Sequence, residues 1–276
     1  MSKLDEILPK YRLRLMDLVE AAGVDVSDWA NCKGGAARAA ANPKYCYEWS
    51  FVEPGKVVVF NLWHDQMEEN GSEIITRKLN VRDFAGKRQG PEKRRGLEMD
   101  RAIQTALKDG LPIRIVVLGG RMRNIYNPNE KASQVSTRLL DPVAWSVTAY
   151  DERTGECTLT RGAHRFVDQF SIQQESAQLP ERREVSGQVF VRNHLVRSKV
   201  LLRAKGKCEW CEESGFLMSD GSIYLETHHV ESLCDGGSDT ETNVAALCPN
   251  HHRQAHHGAN RDAMKGELLV RIRRRN

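Results

Sequence analysis

The sequence predicts an α+β protein in two parts: a mixed α/β domain over residues 1–175 and a smaller domain over 188–276, joined by a linker at 176–187. Three observations predict this. Across Met1 to about Gln173, β-branched and aromatic runs are interspersed with apolar residues at helical spacing, the pattern of one α+β domain. Ser171 to Gly187 is polar, rich in Gln and Glu, and contains Pro180, as a linker would be. Near the end, Cys208-Glu209-Trp210-Cys211 and Cys248-Pro249-Asn250-His251 repeat one internal spacing, so two tight turns each present a pair of metal-ligating side chains.

Taken in order, Leu4 to Ala22 carries apolar residues at helical spacing (Leu4, Ile7, Leu8, Tyr11, Leu15, Leu18, Val19), with Gly23 as a stop and Pro9 as a break near the start. Tyr45 to Val52 and Val57 to Trp63 flank Glu53-Pro54-Gly55-Lys56 and predict a hairpin. Arg77 to Arg95 is basic and punctuated by Gly86, Gly90 and Pro91, with Gly96 just beyond, so it reads partly as loop. Glu98 to Lys108 is a helix stopped at Gly110, and Pro112 to Leu118 is a buried strand ending at Gly119-Gly120. Val143 to Tyr150 and Glu156 to Thr160 form a second hairpin. Gln188 to Lys205 is a basic helix (Arg192, Arg197, Lys199, Arg203, Lys205) closed by Gly206 and leading into Cys208.

Composition sets the bounds. The chain has 276 residues, a net charge of +4 and an ordinary apolar content, which suits two globular domains and tolerates a polyanionic partner. Of seven Cys, four fall in the last quarter, which favours metal ligation over a disulfide framework. Met1 to Lys10 contains acids and a proline, unlike a signal peptide, and the longest apolar run, Ile115 to Leu118, cannot span a membrane. The expected location is the cytoplasm, of prokaryotic type and not secreted.

The chemistry concentrates between Cys208 and His256. Cys208, Cys211, Cys248 and His251 supply a tetrahedral structural zinc site. Four further His lie outside it. His228 and His229 are adjacent, and His252 and His256 share one helix face if a helix opens near Pro249. Since His251 and His252 point roughly 100° apart on such a helix, they serve different sites. The second group, His228, His229, His252 and His256, reads as a catalytic cluster.

Leu225-Glu226-Thr227-His228-His229-Val230 and Cys248-Pro249-Asn250-His251-His252 resemble the L-E-x-H-H-x strand and C-P-N-C-H helix opening of McrA-type HNH nucleases, which have the ββα-metal fold. Asn243 stands for the middle letter of that name, and His251 replaces the Cys usual at its position. The resemblance covers about the last seventy to eighty residues. It implies phosphodiester hydrolysis with His229 as general base, His228, His252 and His256 around a divalent catalytic ion, and Asn243 tying the loop that orients the base. Three imidazoles suit a transition ion (Mn2+, Co2+ or Ni2+) at least as well as Mg2+. One geometric difficulty stands at this point: neighbours on a regular strand face opposite sides, so either the strand is distorted at His228–His229 or the scissile phosphate sits between them.

A reader domain followed by an HNH domain resembles modification-dependent restriction enzymes of the McrA group. By analogy of architecture, the N-terminal domain would recognise double-stranded DNA carrying 5-methyl- or 5-hydroxymethylcytosine. Arg82, Lys87, Arg88, Lys93, Arg94 and Arg95 are the candidate DNA contacts, the alternative being a solvated face. Tyr47, Trp49, Trp63, Tyr126 and Trp145 are candidates for a base pocket, the alternative being core packing. One HNH site nicks one strand, so a homodimer suits a double-strand break. The competing functions are a non-catalytic zinc-stabilised DNA-binding protein and an HNH nuclease of a mobile element or toxin.

Overall fold

The computed structural model describes residues 2–71, 74–123, 132–171 and 193–275; the linker expected at 176–187, Tyr126 and Arg192 lie outside them. The chain divides into two compact units, Met1–Ala106 with Leu111–Ala163, and Leu107–Gly110 with His164–Asn276. The division expected at 175 thus falls later than the observed one. Residues 164–171 belong with the second unit because Phe166 and Val167 pair with Ile223 and Tyr224 there.

In the first unit, the helix expected over Leu4 to Ala22 is two helices, α1 (Lys3–Glu6) and α2 (Leu15–Ala21). Pro9 interrupts the periodicity, and Tyr11 instead accepts a backbone bond from Arg138, 2.8 Å. The first hairpin is β1 (Ser50–Glu53) and β2 (Val57–Trp63), closed by Lys56 N–H to Glu53 O at 3.0 Å. Next come β3 (Glu68–Glu69), β4 (Ile75–Leu79), α3 (Val81–Gly86) and α4 (Gly90–Asp109). Then follow β5 (Ile113–Arg121), β6 (Gln134–Leu140) and the second hairpin, β7 (Trp145–Tyr150) with β8 (Cys157–Arg161). Eight strands form one sheet in the order β1-β2-β5-β7-β8-β4-β3, with β6 added to β5. Only β2 and β5 are parallel, joined by a crossover that contains α4. On one face, Leu15, Leu18, Val19 and Trp29 cluster with Phe51, Val57, Val59, Val116 and Leu118.

The basic stretch read partly as loop runs from β4 through α3 into the start of α4 and is loop at residues 87–89. Gly96 is buried inside α4, where a Cβ would lie 3.0 Å from both the Ala85 Cβ and the Val81 carbonyl oxygen, so this glycine permits a close approach of two helices. Pro91 is the second residue of α4, where its missing N–H costs nothing. The strand expected to end at Gly119-Gly120 instead runs on to Arg121 through a bulge there. At Gly120, with φ +139°, a Cβ would sit 2.2 Å from Gln134 O, so only glycine fits.

The second unit contains β9 (Phe166–Val167), α5 (His194–Ala204), β10 (Phe216–Leu217), β11 (Ile223–Tyr224), β12 (Glu226–His229), β13 (Val244–Leu247), α6 (Pro249–His257) and α7 (Arg261–Arg275). β12 and β13 form an antiparallel ribbon, followed directly by α6 with Pro249 at its first position. The ribbon's apolar residues Leu225, Val230 and Val244 to Leu247 are buried with Val196, Val200 and Leu201 of α5 and Met264, Leu268 and Ile272 of α7. The basic helix α5 turns two of its Arg inward: Arg197 is buried against Asp168, and Arg203 binds Glu209 at 2.9 Å. Among the described residues, no helix is long and apolar enough to cross a membrane.

Candidate active site

Cys208 and Cys211 lie on the turn after α5; Cys248 and His251 lie at the start of α6. Their ligand atoms all fall within 4.8 Å of one another. Three sulfurs and one imidazole nitrogen at that spacing fit a tetrahedral zinc. Buried Glu209 ties the first turn to β13: its N–H donates to Ala246 O and its carboxylate accepts from Ala246 N–H, both at 2.8 Å. Burial pushes the Cys208 thiol up, but backbone donors at Cys211, Cys248 and Trp210 outweigh it and hold the thiol below its ordinary value. Cys248 is pushed up to about 11 by burial and by the neighbouring Cys208. The pair thus favours one thiolate, and a cation would favour both.

The second cluster is His228, His252 and His256, again within 4.8 Å. His256 Nε2 lies 3.2 Å from His228 Nδ1 and 3.1 Å from His252 Nε2. Three ring nitrogens converge where bridging protons cannot satisfy every lone pair, whereas one cation can. His228 is buried, and its basicity is pushed down to about 3 by burial first and then by His256 and His252. His256 is lowered in the same way, burial leading. Both imidazoles are therefore neutral near pH 7, the form that ligates a metal.

Glu226 carries the second layer. One carboxylate oxygen bonds His252 Nδ1, which leaves Nε2 aimed at the cluster, and the other accepts the Tyr224 hydroxyl at 3.0 Å. Sequence reading quoted Glu226 in the motif without giving it a role. The available signal was period two: Glu226 and His228 share a face of β12.

β12 keeps its register with β13 through both His, His228 opposite Ala245 and His229 opposite Val244, so the strand needs no distortion. His229 turns away from the cluster, and its Nε2 lies 2.9 Å from Asp239 Oδ1. Asp239 comes from the loop between the strands, and no local pattern marks it. Buried Asn243 staples that loop: its side chain accepts from Glu231 N–H at 2.8 Å and donates to Glu231 O at 2.9 Å and Ser238 O at 2.8 Å.

The structure places the other candidates in the first unit. Arg82 bonds Asp100 at 3.0 Å and the Tyr150 hydroxyl at 2.7 Å; Lys87 pairs with Asp83 at 2.7 Å. Arg88 lies 3.5 Å from Glu92 and over the Phe84 ring. Arg94 pairs with Glu48 and Glu98, Arg95 lies 3.7 Å from Glu48, and Lys93 is exposed on α4. Among the aromatic candidates, Trp145 is core, its indole donating to buried Asp141 at 2.7 Å. Trp63 packs against the apolar cluster, and Trp49 meets Phe84 edge-on at 5.5 Å. Tyr47 is exposed, with the Arg95 guanidinium 5.7 Å from its ring.

A family model for HNH endonuclease matches residues 208–258. The Type IV methyl-directed restriction enzyme EcoKMcrA of Escherichia coli (strain K12) is 37% identical over 120 residues, 43% of this chain and 43% of that protein. The chain thus spans less than half the length of this curated relative. Among solved structures, the Type IV phosphorothioation-dependent restriction endonuclease ScoMcrA is 36% identical, covering 31% of this chain and 17% of its own, with a TM-score of 0.29. The modification-dependent TagI restriction endonuclease is 19% identical, covering 81% and 74%, with a TM-score of 0.26. At these TM-scores neither superposition carries an argument about the fold. The family match and the two metal-ligating clusters fall on the same stretch of chain, and residues 208–258 are an HNH endonuclease domain.

Proposed function

We propose that this chain is a metal-dependent HNH endonuclease that restricts DNA carrying modified cytosine, 5-methyl or 5-hydroxymethyl. The observation that carries the reading is the pairing of the His228, His252 and His256 cluster with the His229–Asp239 pair on successive positions of one regular strand. A phosphate held at the end of β12 could be approached by both. With Nε2 engaged by Asp239, Nδ1 is the His229 nitrogen that accepts the proton of the attacking water. Asp239 holds the ring in that tautomer and steadies its protonated form. Asn243 is a positioning residue, because its bonds go to the backbone of the loop that carries Asp239. His228, His252 and His256 would hold a divalent ion, Mg2+, Mn2+, Co2+ or Ni2+, which when bound stabilises charge on phosphate and leaving-group oxygens. The Cys208, Cys211, Cys248 and His251 set would hold a structural Zn2+.

The similarity to the methyl-directed restriction enzyme of Escherichia coli supports the choice of modified cytosine. In the first unit, exposed Tyr47 beside Arg95, together with Lys87, Arg88, Lys93 and Arg94, is the surface we assign to DNA. A homodimer would deliver two nicks.

The test is cleavage of matched plasmids carrying cytosine, 5-methylcytosine or 5-hydroxymethylcytosine, with each of the four ions, by wild type and His229→Ala. The expected result is cutting of modified plasmid alone, with the variant slower by about 100-fold or more. Equal cutting of all plasmids overturns the modified-cytosine reading. No cutting with any ion overturns the nuclease reading in favour of a DNA-binding protein.

A further inference from the structure

Among the described residues, the ribbon that carries His228 has two strands, so each outer edge exposes backbone groups that a wider sheet would pair. Thr227 and Ala246 face each other across it. Val230 donates to Asn243 O, and in an antiparallel pair alternate residues turn their groups inward, so the N–H and C=O of Thr227 and Ala246 point outward. Ala246 is met on its edge by Glu209 of the Cys208 turn. Thr227 is met by a residue far away in sequence: the Gln169 side chain donates through Nε2 to Thr227 O at 2.9 Å and accepts from Thr227 N–H at 3.0 Å. One side-chain amide thus does the work of a third strand, at the residue immediately before His228.

The base under Gln169 is a buried, hydrogen-bonded ion pair. Asp168 is fully buried and accepts from Arg197 Nε at 2.7 Å, from Thr227 Oγ1 at 2.9 Å, and from the N–H groups of Phe170 and Ser171 at 3.1 and 3.0 Å. The Arg197 guanidinium also stacks on Phe170, 4.5 Å from the ring. Upstream, Leu225 N–H donates to Val167 O at 3.1 Å, so residues 167–169 follow β11 into β12. Val167, Asp168, Gln169, Phe170, Ser171 and Arg197 all lie outside residues 208–258.

We infer that Gln169 is a positioning residue for the His228 metal cluster, fixing the strand that presents His228, and that the working nuclease therefore includes the segment from about residue 164 as well as the HNH motif. The catalytic consequence rests on the nuclease reading above; the effect on metal binding does not. A clamp beside a ligand sets where that ligand points, and outer-layer contacts of this kind govern affinity as well as rate.

The experiment compares full-length wild type, Gln169→Ala and Gln169→Glu. Co2+ is titrated into protein whose Cys-containing site is already filled, followed by calorimetry and visible absorption, beside kcat and KM on plasmid and the melting temperature. For Gln169→Ala, Co2+ affinity and kcat are each expected to fall by roughly tenfold with KM for DNA unchanged. Gln169→Glu is expected to lie between, since a carboxylate still accepts from Thr227 N–H but offers no donor to its carbonyl. A folded Gln169→Ala whose Co2+ affinity matches wild type overturns the inference, as does one that only melts earlier. If Gln169→Ala does not fold, wild-type Co2+ affinity in Gln169→Glu overturns it. A wild type that binds Co2+ without cutting DNA defeats the nuclease reading alone, and the Co2+ titration still decides the clamp.

Discussion

Glu226 shows how much of a site rests on residues that touch no substrate. Its carboxylate holds the His252 proton on Nδ1 and so determines which nitrogen faces His228 and His256. Glu226→Ala removes that constraint and leaves the Tyr224 hydroxyl without its acceptor. It is expected to weaken Co2+ or Mn2+ binding at the His cluster by about 10- to 100-fold, measured by calorimetry, while leaving the Cys-containing site filled. Glu226→Gln, which can still accept from Nδ1, should lose less. The two Cys and His clusters were legible, because Cys and His at fixed short spacings have few other uses. Asp239 and Gln169 were not: each meets its partner through a tertiary contact, 10 and 58 residues away in sequence.

At the scale of elements, hairpins were read well and helix boundaries poorly. Both hairpins have β-branched strands around a short turn, so the signal is local. The basic stretch is loop at residues 87–89 and helical on either side, so its glycines mark only part of its course. Gly96 answers to the packing of α4 on α3, which no window of sequence contains. Gly96→Val is expected to destabilise the first unit by about 1–3 kcal/mol through this overpacking, seen as an earlier thermal transition, with Co2+ affinity unaltered. In the basic helix α5, by contrast, Arg197 forms a buried ion pair with Asp168, a partner 29 residues away that the helix's own sequence does not show.

At the scale of the molecule, the second unit buries His228 and Asp168 beside its apolar core. Acid should therefore undo it. His228 is held neutral, with its value pushed down to about 3, well below the ordinary imidazole value of about 6.5. The unfolded chain takes up that proton first, so this contribution is complete above about pH 6.5 and is lost progressively as the pH falls toward 3. Burial alone would push Asp168 up, but Arg197 outweighs it and holds the carboxylate below its usual range. Its contribution has the same sign and goes at lower pH, once the carboxylate begins to protonate in the unfolded chain. Metal-stripped protein is thus expected to melt progressively earlier as pH is lowered from about 7 to 5 in differential scanning calorimetry. Chelation at constant pH should lower the transition of the second unit alone, because its knuckles join α5, β13 and α6.

The sequence by itself brought out the two groups of Cys and His that the fold draws together, the ββα order around them and the hairpins of the first unit. Each follows from spacing within a few residues, where chain connectivity fixes geometry. The tertiary structure alone decided how the basic side chains of α3 and α4 are paired, and that Trp145 is core. It also decided that His229 answers to Asp239 and that the His-bearing strand is clamped by Gln169 on one edge and Glu209 on the other. Those depend on which distant segments meet, and a two-stranded ribbon must find partners for its open edges wherever the fold brings them.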